Sequence, residues 1–118
     1  GQVSGDPGAK LENLVACSLL KEMHFREDCL GEEWNLYYLR NKDGREIDFL
    51  ITKNDQAALM IEVKWSDSDR SPNFSFFGKY FNEVRKIQIV KELNREKTYP
   101  DGTQIRTGQN WLSEISLV

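Results

Sequence analysis

The sequence predicts an α/β domain of order α-β-β-β-α-β, built around a central sheet that is covered on both faces. Three observations carry this. An amphipathic helical pattern near the start is followed by three runs of strand character separated by turn signals. The second and third of those runs are apolar on both faces, as strands between two layers are. An aromatic segment of helical spacing then leads into a fourth apolar run. At 118 residues, 39% apolar and 30% charged, the chain is one domain, long enough to bury a single core without staples.

The opening Gly1-Gln2-Val3-Ser4-Gly5 is small and polar and has no initiator methionine. It reads as the disordered or introduced start, residues 1–7, of a piece cut from a longer protein, with a single domain over 8–118. Asp6-Pro7 offers an N-cap followed by proline at the first helical position, and a helix is expected to run on to Phe25. Leu11, Val15, Leu19 and Met23 form its apolar stripe. Glu12 falls inside that stripe, where an unpaired carboxylate is costly. Two readings stay open for it: membership of a polar site, or solvation in the first turn, where the helix N-terminus favours it. Glu22 lies near the helix end and reads as structural. His24 falls on the polar side, as a surface residue.

Residues 26–33 read as a polar connector and 34–39 as the first strand. Asn41-Lys42-Asp43-Gly44 is a tight-turn signal. Strands over 45–52 and 57–65 follow, and 66–73 is a polar loop. Residues 73–82 are expected to be helical, with Phe74, Phe77 and Phe81 packing in the core in preference to forming a base-stacking surface with Lys79 and Arg85. The fourth strand spans 84–90. Beyond it the pattern gives a loop or helical turn at 91–97, a turn at 99–102, an edge strand at 103–107, and a short helix at 110–117 with Trp111, Leu112 and Ile115 inward.

Chemistry concentrates in 46–64. Glu46 and Asp48 alternate with Ile47, Phe49 and Ile51, and Glu62 and Lys64 alternate with Ile61, Val63 and Trp65. Strand side chains change face at every residue, so Glu46 shares a face with Asp48, and Glu62 with Lys64. In a hairpin centred on Asp55, residues whose numbers add up to 110 lie opposite, and Asp48 then faces Glu62 with Cβ atoms about 4.5 to 5.5 Å apart. Like charges so placed call for something positive between them. A divalent cation meets that need, and Lys64 adds a second positive charge. A one-residue change in the turn would send the two carboxylates to opposite faces. Hard oxygen donors suit Mg²⁺ or Mn²⁺. Such an ion lowers the pKa of bound water and neutralises charge on a phosphodiester in flight.

Other chemistries lack their residues. His24 is the single histidine, and there is no Gly-x-Ser-x-Gly, no P-loop and no zinc-ligand pair. Cys17 and Cys29 read as reduced thiols. A net charge of −3 and a pI near 5.2 argue against a protein that coats nucleic acid, so any such contact comes from local patches or bound metal. No apolar run approaches the ~20 residues of a membrane span. With no secretory signal pattern either, a cytoplasmic location is expected.

Glu12 on a helix, Asp48 on one strand and Glu62-Val63-Lys64 on the next resemble the signature of the PD-(D/E)XK nuclease superfamily. More narrowly, GAKLENLVACSLL, LYYLRNKDGREIDFLI and MIEVKWS resemble the nuclease-like C-terminal domain found behind AAA-type ATPase modules in bacteria and archaea. The resemblance covers most of the chain, 8–117. It implies an αβββαβ restriction-endonuclease-like core, with a central mixed sheet flanked by helices. Carried over by position, it implies Asp48, Glu62 and the Val63 carbonyl as ligands of Mg²⁺ or Mn²⁺. Lys64 would act on water or the transition state, and Glu12 would complete the metal or water shell. The chain departs from the pattern at Ile47, where the superfamily's name has proline, and at Glu46, an extra carboxylate expected to be a salt-bridge partner or an outer ligand. Trp65 is expected to face away. The implied activity is hydrolysis of DNA or RNA, beside an ATPase module in the parent chain. The alternative is a catalytically silent accessory domain serving regulation, assembly or target recognition.

Overall fold

Helix α1 (Pro7–Leu30) lays Leu11, Val15, Leu19 and Met23 against one face of a sheet, and all four are buried as the stripe predicts. This computed structural model describes residues 7–66 and 69–118. The expected cap at Asp6 lies outside them. The sheet is mixed and six-stranded, in the order β1-β2-β3-β4-β6-β5. Its strands are β1 (Trp34–Arg40), β2 (Glu46–Lys53), β3 (Gln56–Lys64), β4 (Arg85–Val90), β5 (Lys97–Thr98) and β6 (Gln104–Thr107). β3, β4 and β6 run parallel to one another, and the other pairings are antiparallel. The fold is the α/β arrangement expected from the sequence, a mixed sheet flanked by helices.

Two cores flank the sheet. On one face α1 and α3 (Gly108–Ser113) pack with Phe49, Ile51, Leu59, Ile61, Ile87 and Ile89. On the other, α2 (Pro72–Gly78) sets Phe74 and Phe77 against Ile47, Leu50, Met60 and Val84. Phe74 and Phe77 are core residues, as read from their spacing. Helix α2 is shorter than the expected 73–82. Ser71 caps it, its hydroxyl accepting the Asn73 N–H at 3.2 Å, Pro72 sits in the first turn, and the helix stops at Gly78.

Helix α1 runs five residues beyond the expected end at Phe25, through what was read as connector. Gly31, at φ 69°, closes it in the left-handed conformation that glycine adopts most easily. The extra turn carries Arg26, which donates to Glu32 at 2.8 Å, and Glu32 also accepts the Trp34 indole N–H at 3.0 Å. Lys53 joins at 3.2 Å. The indole and the guanidinium hold the Glu32 carboxyl down at about 2. A carboxylate whose folded pKa is depressed stabilises the fold above its unfolded pKa, here 4.5, and loses that effect as pH falls towards 2. Glu32→Gln is therefore expected to lower the thermal midpoint at pH 7 and to approach wild type as pH drops below 4.5. A difference independent of pH would contradict the ion pair as its cause.

The C-terminal part differs from expectation in one respect of topology. β6 was expected at an edge, but it lies between β4 and β5. The edge is formed by the two-residue β5, whose Lys97 and Thr98 pair with Ile105 and Gln104. A two-residue strand has no periodicity to read; only its partner defines it. Helix α3 begins at Gly108, earlier than expected, because the Thr107 hydroxyl accepts the Asn110 N–H at 3.1 Å.

Candidate metal centre

Two β-bulges shape the hairpin that carries the predicted site. The turn between β2 and β3 is shorter than a hairpin centred on Asp55 needs. Lys53 pairs with Gln56, leaving Asn54 and Asp55 at φ 51° and 64°, the positive values of a two-residue type I′ turn. Continued regularly, that turn would misalign Asp48 and Glu62 by one residue. It does not continue regularly: Thr52 pairs with Ala57 but Ile51 pairs with Leu59, so Ala58 is an extra residue. Beyond it Phe49 faces Ile61, and the register is the one expected from the sequence.

The second bulge lies in β2. Tyr37 pairs with Leu50 and Leu39 with Ile47, so Asp48 and Phe49 together oppose the single residue Tyr38. Strict alternation fails there. Ile47 packs against Phe74 and Phe77, whereas Phe49 and Ile51 pack on the α1 side. The expectation that Ile47, Phe49 and Ile51 share a face is corrected by the inserted residue.

The ladder between β2 and β3 ends at Phe49 and Ile61, and side chains take over from backbone. The Val63 N–H donates to Asp48 Oδ2 at 2.8 Å, and the Asp48 N–H donates to Glu62 Oε1 at 3.3 Å. Each carboxylate thus holds the other strand's amide, which brings the pair together. Glu62 is 2% exposed. Lys64 Nζ stands 3.5 Å from Glu62 Oε2. Burial pushes both carboxyls above their ordinary range, and the Asp48 charge pushes Glu62 further. Lys64 opposes the shift at both.

Glu12 reaches the rim of this pair from α1. Its carboxylate accepts the Tyr38 hydroxyl at 3.3 Å, and it too is raised, by burial first and then by Asp48. Glu46 ends on Arg40 at 2.8 Å, the salt-bridge reading of its place. Glu22 pairs with Arg26 at 3.4 Å. His24 and both thiols are exposed, and so is Trp65.

Three residues at this centre were not singled out from the sequence. Tyr38 binds Glu12, and its hydroxyl is raised chiefly by that charge. Ser71 lies beside Glu62, and its hydroxyl draws the Glu62 carboxyl down against the effect of burial. Gln88, fully buried and opposite Glu62 in the β3–β4 register, accepts the Ser71 N–H at 2.8 Å and donates to the Asp69 carbonyl at 2.8 Å. A lone glutamine in the apolar run VRKIQIV was the available signal for the last of these.

The donor set fits Mg²⁺ or Mn²⁺ in one particular way. Mg²⁺ commonly takes one or two carboxylates and keeps several waters. Asp48 and Glu62 supply two carboxylates whose pKa values are raised, by burial first and, at Glu62, then by the Asp48 charge. Among the described residues no three acidic, histidine or cysteine side chains are grouped to hold a metal ion, so Glu12 does not join Asp48 and Glu62 as a third carboxylate ligand. One surface hollow of about 650 Å³, lined by Ser66, Glu92, Leu93, Asn94, Arg95 and Lys97, involves none of the predicted residues.

Fold and site together define a class: a mixed-sheet α/β domain with an acidic pair, Glu62 buried and Asp48 half-buried, and a lysine at the end of a bulged hairpin. The chain belongs to the family described as a domain of unknown function, DUF4143, whose profile matches residues 7–109. No curated protein and no solved structure matches it. Among the described residues no helix is long and apolar enough to cross a membrane.

Proposed function

We propose that this domain is a nuclease of the PD-(D/E)XK type, holding Mg²⁺ or Mn²⁺ at Asp48 and Glu62 and hydrolysing phosphodiester bonds of DNA or RNA. The observation that carries the reading is the reciprocal clasp of Asp48 and Glu62, which keeps two carboxylates side by side against their mutual repulsion. A fold seldom retains such a pair without a cation to relieve it. When bound, the ion supplies an acidified water and neutralises charge on the phosphate.

This chain's own groups do the rest. Lys64, about a third exposed, can face substrate while countering the upward shift of Glu62, and it steadies negative charge at the phosphate or orients water. Glu12, with the Tyr38 hydroxyl fixing its carboxylate, borders the water shell. The Val63 carbonyl is a further donor by the resemblance; its amide already fixes Asp48. An ATPase module in the parent protein and a cytoplasmic setting complete the proposal.

A catalytically silent accessory domain is the second reading. It is favoured by Glu12 being engaged with Tyr38, so that among the described residues no third carboxylate joins Asp48 and Glu62. Calorimetric titration with Mn²⁺, alongside cleavage assays on single-stranded, duplex and branched substrates, separates the two. Wild type is expected to bind Mn²⁺ and cut at least one substrate, and Asp48→Ala to do neither. A wild-type protein indifferent to millimolar Mn²⁺ would leave the accessory reading standing.

A further inference from the structure

Arg26, Arg40 and Arg106 all end on carboxylates. Arg45 and Lys79 do not: among the described residues these two cations lie over aromatic rings. The Arg45 guanidinium is 4.8 Å from the Phe76 ring centre. Lys79 Nζ is 4.6 Å from Phe76 and 5.4 Å from Tyr80. The two rings stand 6.2 Å apart, and Tyr80 is 65% exposed. In a chain of net charge −3, this is a patch of cations left uncompensated by acid.

Its position ties it to the acidic pair. Asn73 accepts from Arg45 at 3.2 Å and donates to the Glu46 carbonyl at 3.0 Å, fastening the start of α2 to the start of β2. Arg45 lies three residues before Asp48, about 10 Å along a strand. From the other side, Ser71, which lies beside Glu62, caps the helix that carries Phe76.

We infer that Arg45, Phe76, Lys79 and Tyr80 form a platform for single-stranded nucleic acid, which feeds an unpaired strand to the Asp48–Glu62 pair. Phosphates meet the two cations, and an unstacked base lies on the exposed Tyr80 ring. In a duplex the base faces are already occupied by their neighbours, so the rings favour single strands. The inference deepens the phosphodiesterase reading and rests on it for the direction of feeding, but the platform binds without metal.

The test is fluorescence anisotropy with labelled oligo(dT) of about 20 nucleotides, long enough for an aromatic-lined groove, in chelator so that neither metal nor cleavage enters. Wild type is expected to prefer oligo(dT) to a duplex of equal length. Tyr80→Ala is expected to weaken oligo(dT) binding about tenfold, and Lys79→Gln to weaken it and reduce the salt slope by about one. No binding, equal binding by the variants, equal affinity for duplex, or tighter binding of polyglutamate overturns the platform. If oligo(dT) binding depends on Tyr80 while wild type ignores Mn²⁺, the platform stands and the cleavage reading falls.

Discussion

Asp48→Asn is expected to make the domain more stable in chelator and inert with Mn²⁺, two changes of opposite value from one isosteric substitution. Asparagine keeps an oxygen to accept the Val63 N–H and removes one of two facing charges. Relief of a like-charge cross-strand pair is worth about 0.5–1 kcal/mol, which for a domain of this length is a rise of about 2–4 °C in the thermal midpoint. Both carboxyls are raised in the folded state by burial. Wild type therefore gains stability as pH falls through those raised values towards the ordinary 3.8 and 4.5, and the advantage of Asp48→Asn narrows with it. Scanning calorimetry at pH 7 and pH 4, with and without Mn²⁺, reads both effects. A variant less stable than wild type in chelator would show that the charge pair is not under strain.

Gln88→Leu should be the most destabilising single change near the site. Leucine matches the volume but leaves the Ser71 N–H and the Asp69 carbonyl without the partners they have at 2.8 Å. Two stranded backbone groups cost about 1–3 kcal/mol each, so the midpoint should fall by about 8–24 °C. Because Ser71 lies beside Glu62, the Mn²⁺ response should weaken with it, and the Ser71 amide should lose protection from hydrogen exchange. An unchanged midpoint would mean that water replaces the glutamine without loss.

The long-range periodic parts of the fold were legible. Leu11 to Met23 declared a helix face, and the doubly apolar 46–64 declared a buried hairpin. Features set by a single residue in three dimensions were harder to read. The helix was expected to end at Phe25, and the charged 26–28 hid that it continues to Leu30, because its reward is Glu32 binding Arg26 and Trp34 beyond the helix. Of the candidate site, Asp48 and Glu62 were legible through register, and Lys64 through alternation. Tyr38 and Ser71 were not, since a tyrosine on an edge strand and a serine in a loop carry no pattern until the bulge and the N-cap place them. The placement of Glu12 was half legible: its angle on the helix pointed towards the sheet, but not to the phenol it meets.

The extra residue at Ala58 has a bearing on how such sites are to be found. Asp48 stands six residues before Asn54, and Glu62 seven after Asp55, yet the two meet because one residue on the longer arm is left over. The arms of the hairpin are unequal in number and equal in reach. A search for this chemistry that demands symmetric spacing about the turn would discard the chain. One that tolerates an offset of a single residue, and asks for a small side chain where it falls, would keep it.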